Sequence, residues 1–455
     1  MARSSGHRNG AVLADLRHDR ILFVLLSAAL TVFGLLMIYS ASSIMALTSS
    51  TSNHDPAYYL IRQLIFAMIG LVIAIVISLG DYHLWSRRLL WFIGVANIIL
   101  LGLVLTPAAG ADAYGATRWI AIGHIHLQPS EFAKAALILA GASIIEDYVM
   151  FQGEDMKMTV KKTVLLVALP LLLIILEPDK GTTLIIGMTI GIMLFVAGLP
   201  TRAVLLILGA VLLGIVFLAV KDEYSRRRIL IMLDPWLDQY GDGYQLIQGL
   251  YAFGSGGLFG VGIGNSRQKY SYLPMAHNDF IFAVIGEELG LVGTLMVLAA
   301  FFALVYLGYK VASRATDLSG RLIAAGSVSS LALQLLLNVS GVLGLFPLSG
   351  KPIPFLSYGG SSIMSTLILV GLVVSVSRTT EREIMASESP LTVYEGSSGG
   401  LRLLQGGAGN QMRAERIGAS RGFTRERPAA GISWNTTGPG RIDLGYGATE
   451  RLRGR

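Results

Sequence analysis

Ten apolar runs dictate what this chain can fold into. They occupy residues 21–43, 61–79, 89–106, 132–145, 163–176, 183–199, 204–220, 280–309, 322–346 and 358–376. An α-helix needs about 20 apolar residues to cross the hydrocarbon core of a bilayer. Inside lipid every backbone polar group must be paired within the protein, and runs of this length achieve that as helices, which excludes a β-barrel. Only 14% of the 455 residues are charged and 53% are hydrophobic, whereas a soluble domain carries about a quarter charged residues. The expected fold is an all-α polytopic membrane protein with about ten transmembrane helices. The fourth and fifth runs are short for a full crossing, so their helices must take in polar residues at their ends.

Lys and Arg set the orientation, because short cytoplasmic loops collect them. With the N-terminus inside, the short inner loops hold Arg87 and Arg88, Lys157, Lys161 and Lys162, Arg202, and Lys310, Arg314 and Arg321, while the first outer loop, residues 44–60, has neither residue type. Both termini are then cytoplasmic. Residues 221–278, between spans seven and eight, form a large extracytoplasmic loop; it is basic, but long loops obey the rule poorly. The expected organisation is a cytoplasmic segment 1–20, a ten-span domain 21–378 and a cytoplasmic tail 379–455. The first run is long enough to span and lacks a small-residue cleavage site, so it reads as a retained anchor. The tail is rich in Gly, Ser and Thr, with 11 arginines against 8 acids, a composition that predicts disorder. With no cysteine, disulfides, iron–sulfur clusters and thiolate metal sites are ruled out. The net charge of +7 suits a basic cytoplasmic face; no basic aromatic module accompanies it, so nucleic acid is not an expected partner.

Charges beside or within membrane spans are costly and gather where a cavity, partner or reaction needs them. Here they gather on one side. "GATRWIAIGHIHLQPSEFAK" brings Arg118, Glu131 and Lys134 to the start of the fourth span, and "EPDKGTT" ends the fifth with Glu177, Asp179 and Lys180. Asp279, two residues after His277, opens the eighth, and "FPLSGKPIPFLSYGGSS" places Lys351 between the last two. Each has a bland reading: Glu131 and Lys134, three apart on one helix face, can be a structural ion pair, Asp279 a first-turn cap, Lys180 and Lys351 solvated loop ends. Convergence of three acidic motifs on one face favours a cleft. Cations there can hold a diphosphate and a carboxylate can take a proton from a hydroxyl. That suits a substrate with a lipid tail and a charged or sugar head, and leaves catalysis and transport both open. Other motifs lead nowhere. "GSGGLFGVGIGNS" has GxGxxG-like spacing without a βαβ unit and reads as a flexible or re-entrant loop. No GxxxxGK[ST] or GxSxG is present, and His124, His126 and His277 are too scattered for a metal site.

Six ordered stretches, "GATRWI", "QPSEFAK", "EPDKGTT", "GYQLIQGLYAFGSGGLFGVGIGNS", "YLPMAHNDFIFAVIGEELG" and "NVSGVLGLFPLSGKPIPFLSYGGSS", together resemble the motifs of the SEDS family, the RodA and FtsW group of shape, elongation, division and sporulation proteins. The resemblance covers residues 21–378 and implies the ten-span SEDS fold. It implies a peptidoglycan glycosyltransferase that polymerises lipid II at the outer face of the bacterial cytoplasmic membrane, with undecaprenyl-diphosphate-linked glycan as donor and inversion at the anomeric carbon. On that resemblance Asp279 is the catalytic acid residue, the base for the attacking hydroxyl. Glu131, Lys134, Asp179, Arg118, His277 and Lys351 are substrate-binding. Met275 and Asn278 depart from an acid and a threonine usual in the family's "PEAHTDF", and Lys180 from an apolar residue. No cofactor is implied with certainty: a leaving diphosphate can recruit Mg²⁺, but no dedicated cage is visible. "DYHLW", "LGLFPLSGKPIPFLSYGGSS" and the long tail look most like the FtsW division branch, implying a septal location, divisome partners and a class B penicillin-binding protein as crosslinking partner. The competing expectations are a lipid II flippase, a RodA-like elongation polymerase and a non-catalytic division scaffold.

Overall fold

The computed structural model describes residues 2–106, 110–113, 116–122, 125–151, 156–270, 272–388, 392–395 and 401–404. They lie in one compact unit, Met1–Gly406; the second unit, Gly407–Arg455, lies outside the described residues, as does His124. Each of the ten apolar runs falls on a helix. In chain order these are α1 (Ala2–Thr48), α2 (Tyr58–Leu79), α3 (Leu90–Val104), α4 (Pro129–Phe151), α5 (Met156–Thr163) with α6 (Leu169–Leu176), α7 (Lys180–Val196) and α8 (Thr201–Lys221). Then, after α9 (Glu223–Leu233) and α10 (Tyr244–Gly256) in the long loop, come α11 (Ile281–Arg314), α12 (Leu318–Val342) and α13 (Gly360–Glu388). A π-helical turn, Val164–Ala168, joins α5 and α6 into one passage. Among the described residues seven helical segments are long and apolar enough to cross a membrane, and α3 and α7 are shorter apolar helices. The fourth helix gains its length from charges, as its short apolar run requires. It has 23 residues, and Glu131, Glu146 and Asp147 are paired with Lys134, Arg87 and Lys162 at 2.8, 2.9 and 2.5 Å.

The chain is mostly helical, as expected, and two short antiparallel sheets accompany the helices. Before α4, β1 (Gly110–Ala113), β2 (Ala116–Ile122) and β3 (Ile125–Leu127) form an antiparallel sheet in that order. Ala111 lies opposite Trp119 and Ala121 opposite His126. The β-branched and aromatic residues of "TRWIAI" suit a pleated surface, and period two puts Arg118 and the buried Ile120 on one face. In the tail, where composition predicts disorder, β4 (Thr392–Glu395) pairs antiparallel with β5 (Leu401–Leu404).

The boundaries of the terminal segments also move. The first helix starts at Ala2 and the last runs to Glu388, past the expected end at residue 378. Ion pairs explain both extensions. Arg17 and Arg20 of α1 hold Glu381 of α13 at 2.5 and 2.6 Å. Asp19 of α1, buried, is held by Lys310 of α11 at 2.7 Å and by Arg314. These charges thus clasp three helices at the end of the bundle opposite Asp279.

The centre of the bundle is α12 and α13, buried along most of their length, whereas α8 is almost wholly exposed. Large apolar side chains such as Leu206 and Leu213 stand 75% and 72% exposed on α8, a surface that water would penalise and lipid accepts.

The eleventh helix is broken. Gly290 has φ 70°, ψ −167°, a conformation open only to glycine without strain. The break frees backbone groups that lipid could not satisfy, and the glycine-rich segment after α10 supplies them. The amides of Val261 and Gly262 donate to the carbonyls of Glu287 and Glu288, both at 3.0 Å; those of Leu291 and Val292 donate to the carbonyls of Gly257 and Leu258, at 2.9 and 3.1 Å. A Cβ at Gly290 would lie 2.4 Å from the Gly260 nitrogen. The two acids before the break hold the same segment. The Glu287 carboxylate accepts from the Arg267 and Gln268 amides at 2.9 and 3.3 Å and from the Ser266 hydroxyl. Glu288 accepts from Ser40 of α1 at 2.7 Å and pairs with Lys269 at 3.4 Å. The residues that read as nucleotide-like or flexible loop are therefore the scaffold of the short half-helix that Asp279 precedes.

Candidate active site

Three loops and the start of one helix converge at the Asp279 end of the bundle. Asp179 caps α7, its carboxylate accepting from the Thr182 amide at 3.2 Å and from the Thr182 hydroxyl at 2.9 Å. Ser130 and Gln128, at the start of α4, add bonds of 2.7 and 3.2 Å to the same carboxylate. Lys351 then reaches in from the α12–α13 loop: its Nζ lies 2.7 Å from Asp179 Oδ2 and 3.7 Å from Glu131 Oε1. Glu131 is shared, because Lys134 one turn along α4 binds its other oxygen at 2.8 Å. All four side chains are at most 2% exposed. Two carboxylates and two ammonium groups thus neutralise one another out of water, which makes each tolerable where a lone charge would not be. Burial pushes the Asp179 carboxyl up, but Lys351 and Arg118 outweigh it and hold the group below the usual carboxylate range.

Asp279 stands beside this cluster, one residue before the Phe280 cap of α11 and part-exposed. Burial raises its carboxyl above the ordinary value, against the opposing fields of Arg228 and Lys351. Arg228 comes from α9, where its guanidinium also donates to the Leu348 carbonyl. It lines a cavity of about 150 Å³ with Gln245, Phe346 and Leu348. Lys351 therefore faces the paired acids on one side and influences Asp279 on the other.

Arg118 is placed differently from the lysines. From β2 it donates to the backbone carbonyls of Glu177 and Pro178 at 3.2 and 2.7 Å, so it holds the turn that presents Asp179. His277 is kept apart from the charged cluster. Its buried ring packs between Tyr59 and Tyr358, with ring centroids 4.5 and 5.5 Å away, and burial lowers its pKa to about 4. Its carbonyl accepts the Tyr358 amide at 2.9 Å. Lys180 pairs with Asp222 at 2.6 Å.

Reasoning from charges alone misses the neutral side chains that tie these loops together. Asn338 of α12 donates to the Asp279 carbonyl at 2.9 Å and the Lys351 carbonyl at 2.7 Å. One turn earlier Gln334 accepts from Lys134 and donates to the Pro352 carbonyl at 2.7 Å. Their spacing of four puts both on one helix face, and a polar pair inside an apolar run is the signal that marks them. Ser365 adds a bond of 2.6 Å to the Glu131 carbonyl, and Ser361 accepts the Gln128 amide at 2.8 Å. Among the described residues no three Asp, Glu or His side chains cluster, and the Glu131 and Asp179 carboxylates are already occupied by lysines.

A polytopic helical membrane protein with a buried, charge-balanced cluster and an isolated carboxyl at one end of its bundle is the class that this fold and site define. The chain matches the cell cycle protein family FtsW/RodA/SpoVE over residues 20–382, and it belongs to that family. It is 43% identical over 363 residues to a probable peptidoglycan glycosyltransferase FtsW of Trichlorobacter lovleyi, covering 78% of this chain and 92% of that one. It is 39% identical over 367 residues to stage V sporulation protein E of Bacillus subtilis, covering 79% and 96%. Among solved structures it superposes on a chain of a peptidoglycan synthase complex described as coordinating polymerization and crosslinking, with TM-score 0.62, 31% identity and coverage of 79% and 97%. It also superposes on the rod shape determining protein RodA of Thermus thermophilus, with TM-score 0.56, 29% identity and coverage of 78% and 95%.

Proposed function

We propose that this chain is an FtsW-type peptidoglycan glycosyltransferase that polymerises lipid II, working through Asp279. The observation that carries the reading is the pairing of a part-exposed carboxyl of raised pKa with a lysine, Lys351, anchored in a buried charge cluster beside it. A base must hold its proton affinity near the working pH, and burial moves Asp279 in that direction. In the reaction the C4 hydroxyl of the incoming lipid II sugar forms a bond to the anomeric carbon of the growing chain. The bond from that carbon to the lipid diphosphate breaks, the hydroxyl proton passes to the Asp279 carboxylate, and the electron pair leaves on the diphosphate. Lys351 and Arg228, which both act on Asp279, supply positive charge where the leaving diphosphate develops negative charge. Glu131, Lys134 and Asp179 hold Lys351 in place, and Arg118 shapes the turn at Asp179. Attack and departure on opposite faces invert the centre and give β-1,4 strands.

The reading places the Asp279 end of the bundle outside a bacterial cytoplasmic membrane, crossed ten times, with both termini inside. The similarity to FtsW chains supports work at the division septum with divisome proteins. The partner is a class B penicillin-binding protein, which has the crosslinking chemistry; the similar chain in a synthase complex that coordinates polymerization and crosslinking supports the pairing.

The test is polymerisation of labelled lipid II by the purified full chain, alone and with that partner, comparing wild type with Asp279→Asn. A glycan ladder that vanishes in a folded Asp279→Asn variant is the expected result. An equal ladder from the variant removes Asp279 from the chemistry. Lipid II translocation in liposomes without any ladder would establish a transporter.

A further inference from the structure

Glu177 is the charged residue of the "EPDKGTT" turn for which neither the cluster above nor Asp222 supplies an ion pair. It is 0% exposed, and among the described residues neither carboxyl oxygen has a hydrogen-bond partner. A buried carboxylate left in that state is strongly penalised, so the group sheds its charge instead. The charged groups that act on it are Asp179 of the α7 cap, Lys351 of the α12–α13 loop and Arg118 of β2. Beyond Lys351 stand Glu131 and Lys134 of α4, already paired with each other, and Lys180 is paired with Asp222. The Glu177 main chain is held by Arg118, which donates to its carbonyl at 3.2 Å.

We infer that Glu177 is a further substrate-binding residue: a neutral carboxylic acid, buried in the turn that Arg118 holds and within the field of Lys351, that donates its O–H to a phosphoryl oxygen of a diphosphate. A protonated carboxyl is a donor, and this one lacks an acceptor while the two nearest cations attract an anion. The diphosphate supplies the missing acceptor. An ionised Glu177 would do the opposite, repelling the ligand and competing for Lys351. The inference rests on the glycosyltransferase reading for the identity of the ligand, but its test needs no turnover.

Burial, reinforced by Asp179, raises the Glu177 pKa to about 8. The binding-competent fraction then falls from about ten-elevenths at pH 7 to about one-eleventh at pH 9, an approximately tenfold loss of apparent affinity. The probe is farnesyl diphosphate, bound to the purified full chain in detergent between pH 6.5 and 9.5. Glu177→Gln keeps a neutral donor of the same length, and Glu177→Leu removes it. The expected result is an alkaline loss of about tenfold in wild type beyond that of Glu177→Gln, whose profile reports only the ligand and the other residues. Glu177→Leu is expected to bind weakly at every pH while unfolding normally. Farnesol, which lacks the diphosphate, is expected to show no difference among the three. Parallel wild-type and Glu177→Gln profiles would overturn the proposal, as would full affinity in Glu177→Leu. A failure of lipid II polymerisation with the pH signature intact would instead count against the glycosyltransferase reading alone.

Discussion

Replacing Lys351 by methionine removes a charge but keeps most of the stem, so it isolates the ammonium group. The stem is packed: a Cβ at Gly181 would lie 3.1 Å from Lys351 Cγ. Losing one partner of a buried ion pair costs about 3–5 kcal/mol, because the other charge is stranded. Here the stranded group is Asp179, which keeps Ser130, Thr182 and Gln128 as donors, while Glu131 keeps Lys134. The lower end, about 3 kcal/mol, is therefore expected. Removing both charges in Asp179→Asn/Lys351→Met strands nothing, so a coupling of about 2 kcal/mol is expected between the two sites. Equilibrium unfolding of the purified protein in mixed micelles, followed by circular dichroism, measures all four forms. Lipid II polymerisation by the same samples separates stability from chemistry, and both single variants are expected to be inactive. A single variant within about 1 kcal/mol of wild type, or two singles whose losses simply add, would refute the account of the cluster as a mutually neutralised unit.

Two further substitutions probe the supports. Gly290→Ala forces a side chain into a positive-φ position and against the backbone of Gly260 and Leu258, so it is expected to lower the yield of folded protein sharply; normal yield and melting temperature would refute the role of the break. His277 carries a pKa lowered to about 4 from 6.5. Its stabilising contribution is present above 6.5 and is lost as pH falls toward 4, amounting to roughly 1 kcal/mol by pH 5.5. His277→Phe, which keeps the ring between the two tyrosines, is expected to flatten that acid limb of an unfolding profile, and an unchanged limb would assign it to other groups.

The bundle was legible because lipid leaves so few options: a long apolar run is a helix, and each of the ten runs is one. The charged members of the site were legible for the same reason, since Glu131, Lys134, Asp179 and Lys351 are expensive at a membrane and so announce themselves. Asn338 and Gln334 were not, because amides cost less and sit inside an ordinary apolar run. Nor was the break at Gly290, since the hydrophobic pattern continues unbroken across it and only a contact with residues some thirty positions earlier creates it. Only the structure separates Glu177 from its neighbours Asp179 and Lys180: all three are charged residues in one turn, but two have partners and the third has none among the described residues.

The break in α11 has a mechanical meaning. A continuous rod carries tilt and thrust from one end to the other through its ladder of backbone bonds. At Gly290 that ladder is interrupted and spliced to the segment after α10. The piece behind Asp279 is thus a short lever pinned to the long loop, and the remainder of the rod, clasped to α1 at its far end, is a separate strut. A load on the strut therefore reaches the lever only through that splice and through side-chain packing, not along an unbroken ladder of backbone bonds.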